Sequence, residues 1–139
     1  MARTVTPFLM FEGAAEEAMR FYVSLFSGAG IGASVGTIVR YGAGEMGPEG
    51  SVKHAEFMLA GQRIRCIDSP ARHGFTFTPS FSLFVECDSV DEFDAVFSRL
   101  AEGGAVLMAP ANYGFSEKFG WVNDRYGVSW QLNAGEPAL

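Results

Sequence analysis

Two ionisable side chains, His54 and Glu56, lie two residues apart on a strand predicted from Val52 to Leu59. Side chains two apart in a strand point to the same face, so both are expected on one surface. A carboxylate among apolar side chains keeps its proton more readily than in water and can act as a general base, and an imidazole titrates near neutral pH. The pair is therefore the candidate for acid–base catalysis. The alternatives are a hydrogen-bonded or solvated carboxylate at a pocket rim and a partly exposed strand histidine.

A second set of side chains has the chemistry to hold a ligand rather than to react with it. Gln131 carries a donor and an acceptor, so it can orient a ligand or serve as a structural partner of Glu56. Ser82 has no aspartate–histidine arrangement that would make it a nucleophile. Aromatic rings can wall an apolar ligand, or can belong to the core or to a subunit interface. The ligand-binding candidates are Gln131, Ser82, Phe11, Tyr113, Phe115 and Trp121.

Composition excludes several classes of function. The formal net charge is −6 and no basic stripe occurs, so we expect no nucleic-acid partner. No apolar run reaches the roughly 18 residues of a membrane span, and the first residues lack the apolar core of a signal peptide. Cys66 and Cys87 form no CxxC pair, so we expect buried, reduced thiols and a cytoplasmic protein.

The spacing of apolar residues predicts the elements that position these side chains. The chain of 139 residues suits one domain, residues 1–139. A strand, an amphipathic helix and three more strands are predicted within residues 4–70, and the same order restarts within residues 79–135. Ser89 and Glu92 form a capping box at the start of the second helix. The sequence therefore predicts an α+β fold of two tandem β-α-β-β-β modules.

An internal repeat supports this division. A shift of 75 residues carries Leu25 onto Leu100 and Glu56 onto Gln131. Each module is expected to cover one face of its sheet with its own helix, and the two sheets together are expected to form a half-open curved trough that holds a ligand.

Alternation along the strands predicts which side chains face this trough. Ala55, Phe57 and Leu59 are predicted under the first helix, and His54, Glu56 and Met58 opposite. Val128, Trp130 and Leu132 are predicted under the second helix, and Ser129, Gln131 and Asn133 opposite. The trough also receives Ser80, Ser82 and Phe84 from the strand around Phe81, and Pro7, Leu9 and Phe11 from the first strand.

Several segments resemble one group of proteins over nearly the whole chain. They are Thr6–Gly13 (TPFLMFEG), Ala15–Ala18 (AEEA) with Phe21-Tyr22, Tyr113–Val122 (YGFSEKFGWV) and Asp124–Leu132 (DRYGVSWQL). This pattern resembles the PhnB-like group of the glyoxalase / bleomycin-resistance / extradiol dioxygenase (vicinal oxygen chelate) superfamily. Its members are often labelled 3-demethylubiquinone-9 3-methyltransferase-like. The resemblance implies the paired-module fold, a small-molecule ligand and a homodimer.

The resemblance also implies positions for a metal. Metal-dependent members of the superfamily place one ligand on the first strand and one on the last strand of each module, which gives Pro7, Glu56, Ser82 and Gln131 here. Only Glu56 is a good ligand for a divalent ion, so we expect no metal. No strand–GxGxxG–helix unit is present, and we expect no other cofactor.

Three functions stay open from the sequence. The first is a metal-free small-molecule enzyme or binding protein of undetermined reaction, with Glu56 and Gln131 as polar anchors. The second is sequestration of an apolar or aromatic compound without chemistry. The third, a metal-dependent lyase or dioxygenase, is disfavoured by the residues at the ligand positions.

Overall fold

Each half of the chain forms a four-stranded sheet with one helix on it. The computed structural model describes residues 2–135, and the chain divides between His73 and Gly74 into two units. The first module consists of β1 (Phe8–Phe11), α1 (Ala15–Gly28), β2 (Ala33–Arg40), β3 (Val52–Leu59) and β4 (Gln62–Asp68). The second consists of β5 (Leu83–Cys87), α2 (Val90–Ala101), β6 (Ala105–Ala111), β7 (Lys118–Asn123) and β8 (Ser129–Ala134).

The two sheets have the same topology. Their strand orders are β1-β4-β3-β2 and β5-β8-β7-β6. The first strand of each module runs parallel to the last, and the other neighbours are antiparallel. The predicted α+β class and the two tandem β-α-β-β-β modules are confirmed.

Helix α1 packs on its sheet through a continuous apolar stripe. Its buried residues are Ala15, Ala18, Met19, Tyr22, Leu25 and Phe26. They recur every three or four residues, which is the spacing that places side chains on one side of a helix. The ring of Tyr22 stacks on Phe57 of β3 with 6.2 Å between centroids. This face and the buried residues of β3 and β4 form the core of the first module.

A buried aspartate fixes the start of α1. One carboxylate oxygen of Asp68 accepts the backbone N–H groups of Gly13 (2.8 Å) and Ala15 (2.9 Å). The other oxygen accepts the N–H of Val52 at 3.0 Å. Asp68 thereby ties the end of β4 to the helix and to β3, and satisfies donors that the fold would otherwise leave unpaired at a helix start.

In the second module, a capping box begins the helix, and a buried aspartate holds the turn before the last strand. Ser89 accepts the N–H of Glu92 at 3.0 Å, as predicted. Asp124, in the turn between β7 and β8, is buried and accepts the N–H groups of Tyr126 and Val128. Its second oxygen accepts the indole N–H of Trp130 at 2.9 Å. The carboxylate therefore holds the turn against the core side of β8.

The predicted shift of 75 residues holds for the helices and is wrong for the last hairpin. It aligns the buried Leu25 of α1 with the buried Leu100 of α2. However, Glu56 lies on β3, the topological equivalent of β7, whereas Gln131 lies on β8, the equivalent of β4. The mismatch arises between the helix and the third strand of each module, because 23 residues (29–51) separate α1 from β3 and only 16 (102–117) separate α2 from β7.

The predicted faces are confirmed for β3 and β8 and are wrong for β1. Leu9 and Phe11 are buried, at 4% and 5% exposure, and the register places Leu9 beside the buried Cys66. Phe8 is 56% exposed and lies on the opposite face. All four residues of β1 are apolar, so the strand shows no alternation of apolar and polar residues. The pattern therefore cannot tell which face of β1 is buried.

Candidate functional site

The helix-free face of the first sheet carries a row of three paired residues. Phe8 of β1, Arg65 of β4 and Glu56 of β3 are successive partners across the sheet. We call these the first-module row. Residues paired across neighbouring strands share a face, so these side chains lie opposite the core. His54, two residues from Glu56, lies on the same face, as predicted.

Arg65 is the centre of this row. One of its terminal nitrogens, Nη2, donates to Nε2 of His54. Because a guanidinium can only donate, Nε2 of His54 is the acceptor of this hydrogen bond. The guanidinium also lies over the ring of Phe8, with 5.8 Å from its central carbon to the ring centroid. A cation–π contact of this kind holds the guanidinium against the sheet.

Glu56 stands among cations rather than among apolar side chains. Its carboxylate lies 3.8 Å from Nε of Arg63, and Arg65 is its cross-strand partner. On the other side, a Cβ at Gly36 of β2 would lie 3.2 Å from the Glu56 Cγ, so the absence of a side chain there makes room for Glu56. These surroundings differ from the apolar setting expected from the sequence.

The second sheet carries the equivalent row with different chemistry. Phe84 of β5, Gln131 of β8 and Trp121 of β7 are successive partners across the sheet. We call these the second-module row. Phe84 is 55% exposed, which is close to the value for Phe8. In these equivalent strand positions a neutral amide replaces the guanidinium and an indole replaces the carboxylate.

Hydroxyl groups link the polar members of the second-module row. Ser82 and Ser129 share a hydrogen bond of 2.6 Å, and Nε2 of Gln131 donates to the hydroxyl of Ser82 at 3.3 Å. The indole N–H of Trp121 donates to the hydroxyl of Ser129 at 2.8 Å. The network holds the Gln131 amide and the Trp121 ring in place. Further along the same face, the amide of Asn133 donates to the carboxylate of Glu86 at 3.0 Å.

Four aromatic rings lie together on this helix-free face. Phe119 of β7 is buried and contacts the rings of Phe84, Tyr113 and Phe115 at centroid distances of 6.4, 6.2 and 5.0 Å. Tyr113 and Phe115 also stack on each other at 6.3 Å, and each is 42% exposed. We call these four rings the aromatic cluster. Their edge and stacked arrangements are those that aromatic side chains favour.

The predicted site residues therefore fall into two groups and one outlier. His54 and Glu56 lie on the first-module face. Ser82, Gln131, Tyr113, Phe115 and Trp121 lie on the second-module face. Phe11 lies on the buried face of β1, so its predicted place on the open face is wrong.

Sequence reasoning missed Arg65, Phe8 and Phe119. Alternation in Gln62 to Ile67 places Arg65 opposite the buried Ile64 and Cys66, so the signal for Arg65 was present. Phe8 was missed because the sequence placed the opposite face of β1 toward the ligand. Phe119 follows Lys118 at the start of β7, and only the register with Asn133 shows its face.

The donor set does not fit a divalent metal. Within residues 2–135, no group of three or more His, Cys, Asp or Glu side chains is arranged so that it could hold a metal ion. The last strand of the first module is β4 and not β3, so Glu56 does not lie on that strand. The residue of β4 in the first-module row is Arg65. Arginine is a cation and cannot donate to a metal. We derive no step through a metal.

The β1–α1 connection also lacks the features that bind a nucleoside-type methyl donor. Such groups are commonly held by a glycine-rich turn and free N–H groups at a helix start. The β1–α1 connection has three residues, and the N–H groups of Gly13 and Ala15 are already accepted by Asp68. We therefore derive no methyl transfer from these residues.

Both thiols are buried and held in the neutral form. Burial, with a smaller contribution from Asp68, raises the pKa of Cys66 to about 12. Burial, together with Glu92, Glu86 and Asp88, raises the pKa of Cys87 to about 12. Since the thiolate is the reactive form, the prediction of buried and unreactive thiols agrees with the structure.

Solved structures identify the fold. A glyoxalase/bleomycin resistance protein/dioxygenase domain from Frankia sp. EAN1pec matches 98% of this chain and 93% of its own, with a TM-score of 0.60 and 17% identity. The chain thus has the fold of the glyoxalase/bleomycin-resistance superfamily.

The family is narrower than the fold. The family model for 3-demethylubiquinone-9 3-methyltransferase matches residues 3–133, and the chain belongs to that family. It is 53% identical to a putative 3-demethylubiquinone-9 3-methyltransferase, PhnB protein, from Bacillus cereus, over 96% of this chain and 100% of that one, with a TM-score of 0.90. It is also 24% identical to protein YjdN of Escherichia coli (strain K12), over 93% of each chain. The predicted PhnB-like membership is confirmed.

Neither helix in the described part of the chain has the length and apolar character needed to cross a membrane.

Proposed function

We propose that the protein binds a small molecule with an aromatic or apolar portion on the helix-free face of its second module. The aromatic cluster carries this proposal, because Phe84, Tyr113 and Phe115 present large exposed rings beside a hydrogen-bonded row of polar groups. Contiguous exposed apolar surface on a folded chain usually marks a binding site. A few fixed polar groups beside it give orientation.

The polar groups define how such a ligand would be oriented. Ser82, which is itself hydrogen-bonded to Ser129, accepts from the amide nitrogen of Gln131, and this leaves that amide's oxygen as an acceptor for a ligand donor. The indole of Trp121 adds a flat surface next to Gln131. A neutral, mostly apolar ligand with one hydroxyl or amide fits this face best.

A neutral fluorescent probe tests the proposal. N-phenyl-1-naphthylamine should bind saturably to the wild-type protein, and the variants Phe115→Ala and Phe84→Ala should each weaken binding roughly tenfold, which is about 1.4 kcal/mol. Met46→Ala is the matched control, because Met46 is an exposed apolar side chain, at 85% exposure, in the first unit. Equal affinities of Phe115→Ala and Met46→Ala would remove the aromatic cluster from the proposed site.

The part of the proposal that concerns chemistry rests on the first module. We propose Glu56, with His54 beside it, as the group that takes a proton from a molecule bound on the helix-free face of the first module. Its carboxylate would act from an ion pair with Arg63 3.8 Å away, and His54 is engaged by Arg65. Without such a step, the same face of the second module supports sequestration alone.

We further propose a homodimer that works in the cytoplasm. Val106 and Leu107 on the edge strand β6 are exposed apolar residues, which suits a subunit interface, and the reduced thiols suit a reducing compartment. Light scattering should give the mass of a dimer, and Val106→Asp should shift it toward the monomer. A monomeric wild-type protein would contradict the assembly and would leave the ligand proposal untouched.

A further inference from the structure

Arg65 is a half-buried cation without a counter-ion. Across residues 2–135, no carboxylate lies within 4.0 Å of its guanidinium, although ion pairs are formed by Arg20, Arg40 and Arg63. The nearby carboxylate of Glu56 pairs with Arg63 instead. A charge that is partly removed from water and left unpaired is unfavourable, so arginines in such positions are usually matched by an anion.

The guanidinium also has an unused donor. Nε of Arg65 is buried and has no hydrogen-bond partner among the described residues, while Nη2 donates to His54. Buried N–H groups without partners are rare in folded proteins because each one costs free energy. A single acceptor placed against this guanidinium would satisfy the orphan donor and the charge together.

The contacts around Arg65 hold it in one orientation. The ring of Phe8 supports one side of the guanidinium, and the His54 ring nitrogen accepts one of its N–H groups. A fixed guanidinium loses little freedom when it binds an anion, and its planar fork matches the oxygen atoms of carboxylate, phosphate and sulfate.

We propose that Arg65, positioned by Phe8 and His54, binds the oxyanionic group of a small molecule. This inference goes beyond the proposed aromatic site, because it rests on residues of the first module alone. The net charge of −6 disfavours a polyanionic partner such as nucleic acid, so a single carboxylate, phosphate or sulfate group on a small molecule is the ligand chemistry that fits.

Neighbouring charges predict the direction of two further effects. Glu56 is a negative charge on the same row, so its removal in Glu56→Gln should strengthen anion binding by a few fold. Arg20→Gln is the matched control, because it removes the same positive charge from an exposed position on α1. Loss of an arginine there should change anion affinity by less than about twofold, since exposed charges are screened.

The experiment is a titration with inorganic phosphate, sulfate and benzoate, followed by calorimetry and by the Nε–H resonance of Arg65. That resonance is assigned from its absence in Arg65→Lys. At least one anion should bind saturably and shift the resonance, and Arg65→Gln should weaken binding roughly tenfold or more. Arg65→Lys keeps the positive charge without the planar guanidinium, so its anion affinity should lie between those of the wild type and Arg65→Gln. It serves as the second variant if Arg65→Gln does not fold.

Two results would overturn the inference. One is the lack of saturable binding for all three anions. The other is an equal loss of affinity in Arg65→Gln and Arg20→Gln, which would reduce the effect to net charge. Binding of the uncharged N-phenyl-1-naphthylamine to the same variants reports on the aromatic site separately, so either site can fail while the other stands.

Discussion

The two modules share one topology, but the row of paired residues on the helix-free face is charged in the first module and neutral in the second. The first-module row reads Phe8, Arg65 and Glu56, and the second-module row reads Phe84, Gln131 and Trp121. An exposed phenylalanine begins each row, but the next two positions are charged in one module and neutral in the other. The two modules therefore share a topology and differ in the residues on their helix-free faces, and function depends on such local residues rather than on the fold.

The largest expected effect tests whether both modules depend equally on a buried aspartate. Asp68 and Asp124 are buried, and each accepts three hydrogen bonds. Asp68→Ala and Asp124→Ala should each lower the free energy of unfolding by about 3 to 5 kcal/mol, because the donors lose a charged acceptor. Urea denaturation measures this, with Asp94→Ala as the exposed control. A loss below about 1 kcal/mol in either variant would show that its module is held differently.

The next effect compares the two buried thiols. An unfolded thiol ionises near its ordinary pKa of 9.0, whereas each folded thiol has a pKa of about 12. The folded state therefore holds more protons above pH 9, and stability must fall as the pH rises from 9 toward 12, by up to about 1.4 kcal/mol per pH unit for each thiol. Cys66→Ala and Cys87→Ala should each flatten this slope. An unchanged slope in either one would show that its thiol is not protected in the folded state.

A smaller effect tests the backbone strain in the β7–β8 turn of the second module. Gly127 has a φ of +88° in the β7–β8 turn, and a Cβ there meets nothing closer than Phe77 at 3.9 Å. Gly127→Ala should therefore cost about 1 kcal/mol through backbone strain alone. Gly28→Ala is the control, because Gly28 is helical with open space around it, and it should stabilise by about 0.5 kcal/mol. If the melting temperatures of Gly127→Ala and Gly28→Ala moved in the same direction, the claim that the turn requires a glycine at position 127 would be wrong.

The smallest effect concerns the charged face itself. Glu56→Gln should change the free energy of unfolding by less than about 0.5 kcal/mol, because the Arg63–Glu56 pair is exposed to solvent. The same variant is expected to alter ligand binding on the helix-free face of the first module. A large loss of stability would mean that Glu56 is a structural partner of the arginines and not a site residue.

Much of the fold was predictable because local signals agreed. Strict alternation gave both faces of β3, and the capping box gave the start of α2. The hairpin at Ala60 and Gly61 has positive φ at both residues, as a two-residue turn requires.

The rest depended on contacts between distant segments. Asp68 closes bonds to residues more than fifty positions away, and no local pattern marks it. The face of β1 was lost because Phe8, Leu9, Met10 and Phe11 are all apolar. Arg65 was visible as a strand residue, but its missing counter-ion appears only when Glu56 is seen to pair with Arg63.

The most direct test of ligand binding uses the two tryptophans of the second sheet. The indole N–H of Trp121 lies on the helix-free face and donates to Ser129, whereas that of Trp130 is buried and donates to Asp124. Each gives its own resonance in a nitrogen–proton correlation spectrum. Titration with 1-naphthol should shift the Trp121 resonance progressively to saturation and leave that of Trp130 in place. A stationary Trp121 resonance, or equal shifts of both, would contradict binding on the helix-free face.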